Sequence, residues 1–220
     1  MGNPKVSVVI TGFEARFYDE ILDLITLFQY GRFIRNLLYN YTHIERGYRV
    51  AELGVGNGRN AIILSDRVGE DGRIVGFDIS DDMLKKARRK TSGKKNIEIV
   101  KHDIRESFTP EYRQYFDVAL IVLAFHGFTP GDRGRIFENV RSILKEGGKF
   151  YIFDYNQMDF SRAPWYFKIL IDKFECPLAE EFLGYDLEGE ARKHGFTLTG
   201  KHEFVKKLFQ YAEFTLSSDD

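Results

Sequence analysis

The feature that most constrains this chain is residues 49–61, Arg-Val-Ala-Glu-Leu-Gly-Val-Gly-Asn-Gly-Arg-Asn-Ala, which read as a short strand running into a glycine-rich turn and then a helix. Val50, Ala51 and Leu53 make a buried-strand run. Gly54, Gly56 and Gly58 remove side chains where the backbone must turn sharply or let a ligand come close. Residues 73–78, 97–101, 116–123 and 149–154 read as further strands. Between them lie helices, one capped by Ser80 with Asp81 and Asp82 in its first turn, another running from about Asp132 to Leu144 before a break at Gly147 and Gly148. Strands alternating with helices imply successive βα units, hence a parallel sheet covered on both faces.

The flanks follow other rules. Phe17, Ile21, Leu24 and Phe28 recur at helical spacing, Gly31 interrupts, and Phe33, Ile34, Leu37, Leu38 and Tyr41 resume the stripe. Residues 1–46 therefore form a helical cap, with a short β-like run at 6–10, and residues 47–220 the α/β core of a single domain. Past Asp154, residues 165–174 and 186–194 read as helices. Residues 197–204 and 207–216 read as two strands joined tightly at Val205 and Lys206, a hairpin closing the sheet. The apolar fraction of 43% suits one sizeable core.

Lys plus Arg at 32 against Asp plus Glu at 33 leaves a net charge of -1, so nothing favours a general grip on nucleic acid or an anionic membrane. The basic run Lys85, Lys86, Arg88, Arg89 and Lys90 reads as a solvated helix face. Cys176 is the single cysteine, which excludes an intrachain disulfide and a multi-cysteine metal site and fits a reducing cytoplasm; it reads as a packed small hydrophobe, and no metal is expected. The apolar run at 8–10 is too short for a signal segment or a membrane span.

Three acidic residues fall at strand ends. Glu52 stands at the mouth of the glycine turn, where a carboxylate repels phosphate and attracts an amino group or cation. Asp78 ends the second strand, where it can accept both hydroxyls of a ribose, and Asp103 follows the third at the same carboxyl edge. Each also has a plainer reading: Asp78 and Asp103 as strand-end caps satisfied by backbone amides, Glu52 as half of a structural ion pair.

These residues carry a resemblance. Glu52-Leu-Gly-Val-Gly-Asn-Gly58, Gly76-Phe-Asp-Ile-Ser80, His102-Asp-Ile104, Phe116-Asp-Val118 and Leu144-Lys-Glu-Gly-Gly148 resemble the ordered motifs of class I S-adenosylmethionine-dependent methyltransferases. The resemblance implies a Rossmann-like α/β fold, with a seven-stranded, mostly parallel sheet, a C-terminal antiparallel hairpin and an N-terminal helical lid. It also implies S-adenosyl-L-methionine as cofactor. Carried over residue by residue, Glu52, Gly54, Gly56 and Gly58 resemble the site of the methionine part and Asp78 the ribose acid. Ile79 resembles an adenine packing residue, Asp103 and Ile104 the adenine edge and face, and Leu123 a residue near the sulfonium. Asn57 stands where the family often has Ser, Thr or Cys.

For catalysis, His126, Asp154 and Tyr155 are edge residues able to take a proton from a phenolic acceptor, with His126 first; its plainer reading is a partly buried residue bound to backbone. Tyr18, Tyr30 and Trp165 are candidate acceptor-binding residues in an aromatic pocket wall, against the alternative that aromatics at helical spacing are core. Short runs around Ala15 to Asp19, Gly31 to Phe33 and Glu180 to Leu183 look like the ubiquinone and menaquinone biosynthesis methyltransferase group. The expectation is a cytoplasmic methyltransferase of a small, largely apolar acceptor such as a quinone precursor, able to pair as a homodimer. RNA or protein methylation, a nucleotide-linked oxidoreductase and a non-catalytic cofactor-binding scaffold are the rivals.

Overall fold

The computed structural model describes residues 30–174 and 176–217. The run at 6–10, the helical stripe through Phe28, the candidate Tyr18 and the terminal Asp219 and Asp220 lie outside them. In chain order the elements are α1 (Tyr30–Asn40), β1 (Arg49–Leu53), α2 (Arg59–Val68), β2 (Arg73–Asp78), α3 (Asp81–Thr91), β3 (Ile97–Lys101), β4 (Phe116–Val122), α4 (Pro130–Ile143) and β5 (Leu144–Tyr155). Then follow α5 (Trp165–Phe174), α6 (Pro177–Leu183), α7 (Leu187–Lys193), β6 (Phe196–Phe204) and β7 (Phe209–Leu216).

The strands form one seven-stranded sheet in the order β3-β2-β1-β4-β5-β7-β6. β1 to β5 pair in parallel, while β7 runs antiparallel between β5 and β6. The order reverses between β1 and β4. At such a switch point two loops leave the carboxyl edge in opposite directions and open a crevice, the usual ligand position in an open α/β sheet.

Strand alternation divides the core. Val50, Ile74, Val118 and Tyr151 face α1 and α2 on one side, whereas Ala51, Phe77, Ile121 and Phe150 pack with α4 and the C-terminal helices on the other. The absence of a side chain at Gly76 is a packing requirement. A Cβ there would lie 2.5 Å from Cγ2 of Val55, so only glycine lets the turn after β1 settle on β2. Helix starts obey local chemistry. Ser80 Oγ accepts the Met83 amide at 3.3 Å, Thr129 Oγ1 accepts that of Asp132 at 3.2 Å, and Asp186 caps α7 through the Gly189 amide at 2.9 Å.

Three local expectations change. Helix α4 ends at Ile143, and Leu144, expected as its last residue, already pairs with Phe116 as the start of β5. Gly147 and Gly148 thus lie inside β5, where the register jumps from Phe116↔Leu144 to Val118↔Lys149. Gly31 lies within α1, and the stripe before it falls outside the described residues. The hairpin connection is four residues long, and Val205, Lys206 and Lys207 all take left-handed backbone angles with φ of 50°, 54° and 69°. Such angles are unfavourable for side chains with a Cβ, most of all for β-branched valine. Asn156 holds this turn, its amide donating to Leu208 O at 2.9 Å and its Nδ2 to Lys207 O at 3.0 Å.

Candidate functional site

The glycine turn is built by backbone geometry. Gly54, Gly56 and Gly58 have φ of 72°, 53° and 81°, and the Gly54 and Val55 amides both donate to Phe77 O, at 2.8 and 2.9 Å. A Cβ on Gly56 would meet nothing within 4 Å, so its outer side is open, whereas one on Gly58 would press on Ala87 at 3.1 Å. Gly56 therefore offers room to a ligand, and Gly58 lets α2 and α3 close together.

Glu52 is the unusual charge of this edge. It is 1% exposed, and among the described residues neither carboxylate oxygen has a donor in full hydrogen-bond geometry. Burial pushes its pKa up from 4.5 to about 8, with Asp78 adding to the rise and the nearby Asn60 amide opposing it. Among the described residues this carboxyl group has no cationic or amine partner, and its oxygens fit the ammonium group of an amino-acid moiety. Asp78, half-buried, braces the turn: Oδ2 accepts the Gly56 amide and Oδ1 the Ser80 amide, each at 2.9 Å. Those bonds use one acceptor position on each oxygen and leave the others for hydroxyls.

Asp103 is held by Arg105, which donates from its backbone at 3.0 Å and from its guanidinium to both carboxylate oxygens; this pairing keeps the Asp103 pKa below the usual carboxylate range. Ile104 is buried, and Ile79 is half-buried beside Asp78. Leu123 follows β4 with φ of 51°, its amide bound to Phe153 O at 2.8 Å. A left-handed leucine there swings the chain out of the sheet plane into the short helix Phe125–Gly127, which carries His126.

His126 and Asp154 form a buried pair. Asp154 is fully buried and accepts His126 Nδ1 at 2.7 Å, the His126 amide at 3.0 Å and the Tyr155 amide at 2.8 Å. A carboxylate acceptor at Nδ1 favours the tautomer of a neutral ring with its proton on that nitrogen. The Tyr155 ring lies 4.9 Å from that of His126 and packs on Phe167 and Phe209. Tyr30 is the first residue of α1. Trp165 is 74% exposed on α5, its ring against Tyr166, rather than enclosed in a wall.

Three residues that the sequence did not single out complete this edge. Arg133 is fully buried, donating to the Phe125 and His126 carbonyls at 3.3 and 3.1 Å and to Glu181 at 2.8 Å. Its guanidinium lies beside the stacked rings of Phe182 and Tyr185, 4.7 and 4.5 Å from their centroids. It falls in the stripe of Ile136, Phe137 and Val140, which is the signal that could have found it. Asn156 and Gln157 follow β5 directly and show no local signal. Among the described residues no helix is long and apolar enough to cross a membrane, and no cluster of three or more His, Cys, Asp or Glu is placed to hold a metal ion.

Strand order, closing hairpin, glycine turn and the acids at the ends of β1 and β2 are together those of the class I S-adenosylmethionine-dependent methyltransferases. Residues 50–148 match the family described as Methyltransferase domain. The chain is 28% identical over 191 residues to the chloroplastic 2-phytyl-1,4-beta-naphthoquinone methyltransferase of Arabidopsis thaliana, covering 84% of this chain and 70% of that protein. It is 29% identical over 143 residues to a ubiquinone/menaquinone biosynthesis C-methyltransferase of Serratia proteamaculans, covering 64% of this chain and 55% of that one. A SAM-dependent methyltransferase from Aquifex aeolicus shares the fold with a TM-score of 0.70 at 18% identity, over 93% of this chain and 100% of its own.

Proposed function

We propose that the enzyme methylates a small, largely apolar aromatic acceptor of the hydroxylated quinone-precursor kind. The observation that carries the cofactor side is Glu52, a carboxyl group enclosed at the end of β1 with two oxygens lacking well-placed donors. Glu52 would hold the amino group of S-adenosyl-L-methionine, the turn at Gly54 to Gly58 its methionine part, and Asp78 its ribose. Ile79, Asp103, Ile104 and Leu123 would line the adenine and sulfonium ends. When bound, the cofactor supplies an electrophilic methyl group.

The acceptor side rests on His126, Asp154 and the names of the two relatives, both quinone methyltransferases. Asp154 fixes the imidazole so that Nε2 is the basic atom, and removal of a phenolic proton would raise the electron density of the acceptor oxygen and ring. Tyr155, behind the imidazole, would keep its orientation. Alignment and exclusion of water by the surrounding apolar residues would supply much of the remaining acceleration.

The test is methyl-labelled S-adenosylmethionine incubated with the protein and fractionated cell extract. Label is expected in a lipid-soluble aromatic product. Label confined to RNA or protein would replace the small-molecule reading, and cofactor binding without transfer to any fraction would leave a scaffold. The ribose assignment is tested separately. Asp78→Ala is expected to weaken S-adenosylhomocysteine binding by about 2 kcal/mol, through lost charge-assisted hydrogen bonds and a loosened Gly56. Calorimetry showing unchanged affinity would mean that the ribose lies elsewhere.

A further inference from the structure

Beyond His126, the carboxyl edge of β5 carries an amide pair whose orientation the surrounding bonds fix. Asn156 is 4% exposed, and its Nδ2 donates to Glu203 Oε1 and to Lys207 O, both at 3.0 Å and both obligate acceptors. The other amide atom, Oδ1, is therefore an acceptor, and it is buried without a donor among the described residues. Gln210 Nε2 donates to Tyr155 O at 3.3 Å, which fixes the Gln210 amide; the same nitrogen donates to Gln157 Oε1 at 2.8 Å. Gln157 must then present Nε2 as a donor, and that atom is likewise buried without an acceptor among the described residues.

One unpaired acceptor and one unpaired donor thus stand on consecutive residues, directly after the Asp154 and Tyr155 that flank His126. Leaving such groups unpaired is costly, and native proteins rarely accept two together without a use for them. The strained turn at Val205 to Lys207, which Asn156 clamps, is a second departure at the same place.

We propose that Asn156 Oδ1 and Gln157 Nε2 bind the oxygen substituents of the acceptor, and that they select the hydroxyl form over the ketone or ether form. The proposal rests on the methyltransferase reading above and deepens it. Gln157 donates to any oxygen, whereas Asn156 Oδ1 requires a ligand that donates. A phenol or hydroquinone has that hydrogen; a quinone or methyl ether does not. The pair would therefore admit the reduced ring, the form in which a hydroxyl proton can be removed by a base. A site built to hydrogen-bond a hydroxyl rejects analogues without it far more strongly than an apolar pocket can.

The test uses the whole chain loaded with S-adenosylhomocysteine, titrated anaerobically with 1,4-dihydroxynaphthalene and with 1,4-dimethoxynaphthalene. The diol is expected to bind at least tenfold more tightly. Gln157→Met is expected to weaken diol binding at least tenfold while S-adenosylhomocysteine affinity stays within twofold. Should that variant lose its fold, Gln157→Glu carries the same expectation, because it keeps the bond to Gln210 and loses only the donor. Equal binding of diol and diether by the wild type, or unchanged diol affinity in a folded Gln157 variant, would overturn the proposal with the cofactor reading intact. Absence of S-adenosylhomocysteine binding by the wild type would overturn both.

Discussion

Replacing Glu52 by glutamine is expected to stabilise the ligand-free protein at pH 8.5 and, in the same molecule, to weaken cofactor binding. The native carboxyl titrates near pH 8 instead of 4.5 because burial penalises its charged form and the Asn60 amide offsets this only in part. Its folded pKa is raised, so between these values the native state holds a proton that the unfolded chain has released. Stability therefore falls as pH rises from about 4.5 to about 8, and levels off above. At 1.36 kcal/mol per pKa unit the difference sets an upper bound of roughly 5 kcal/mol; relaxation around the charge brings the expected gain from Glu52→Gln to about 2–3 kcal/mol. Thermal melts should show the variant well above wild type at pH 8.5 and level with it at pH 5.

Binding should move the other way. A cationic amino group engages the ionised carboxylate, so wild-type affinity for S-adenosylhomocysteine should rise up to tenfold per pH unit between 6.5 and 8, with proton release, while the glutamine variant shows a flat profile and binds about 2–3 kcal/mol more weakly. A variant that neither gains stability nor loses affinity would remove Glu52 from the site.

The second large effect concerns Arg133. Arg133→Met fills similar volume without donors, taking from the His126 carbonyl its donor in the core and leaving the Phe125 carbonyl only the Phe128 amide. Breaking a buried charged network of this kind costs about 3–5 kcal/mol, which in a chain of this size lowers the melting temperature by roughly 10 °C. Glu181→Gln should cost less, because its Oε1 can still accept the Arg133 bond although the buried guanidinium loses its counter-charge. On the proposed role of His126, Arg133 acts on the base through its backbone carbonyl, so at a temperature where both proteins are folded the variant should lose kcat more than acceptor affinity. Similar losses from both substitutions would show that the ion pair, and not the carbonyl contacts, carries the effect.

Much of the frame is readable from the chain because its causes are local. The strand period of β1 to β4, the glycines after β1, the Ser80 cap and the pairing of β6 with β7 each follow from residues within a few positions of one another. The carboxyl edge follows from strand direction alone, which is why Glu52, Asp78, Asp103 and His126 fall on it in the sequence reading as in the fold. Leu144 shows where such reasoning ends. Its neighbours favour continuing α4, but pairing with Phe116 satisfies its backbone in the sheet.

The sequence by itself therefore determined the βα order, the glycine turn and the identity of the acidic strand ends, since periodicity, caps and turns depend on short-range sterics and hydrogen bonding. Only the tertiary structure decided what those residues experience. Whether Glu52 is paired, whether Asp78 braces its own turn, whether Arg133 lies in the core, and which amide atoms of Asn156 and Gln157 are left without partners depend on groups far along the chain. Desolvation and hydrogen-bond satisfaction are properties of the assembled environment, and no local pattern encodes them.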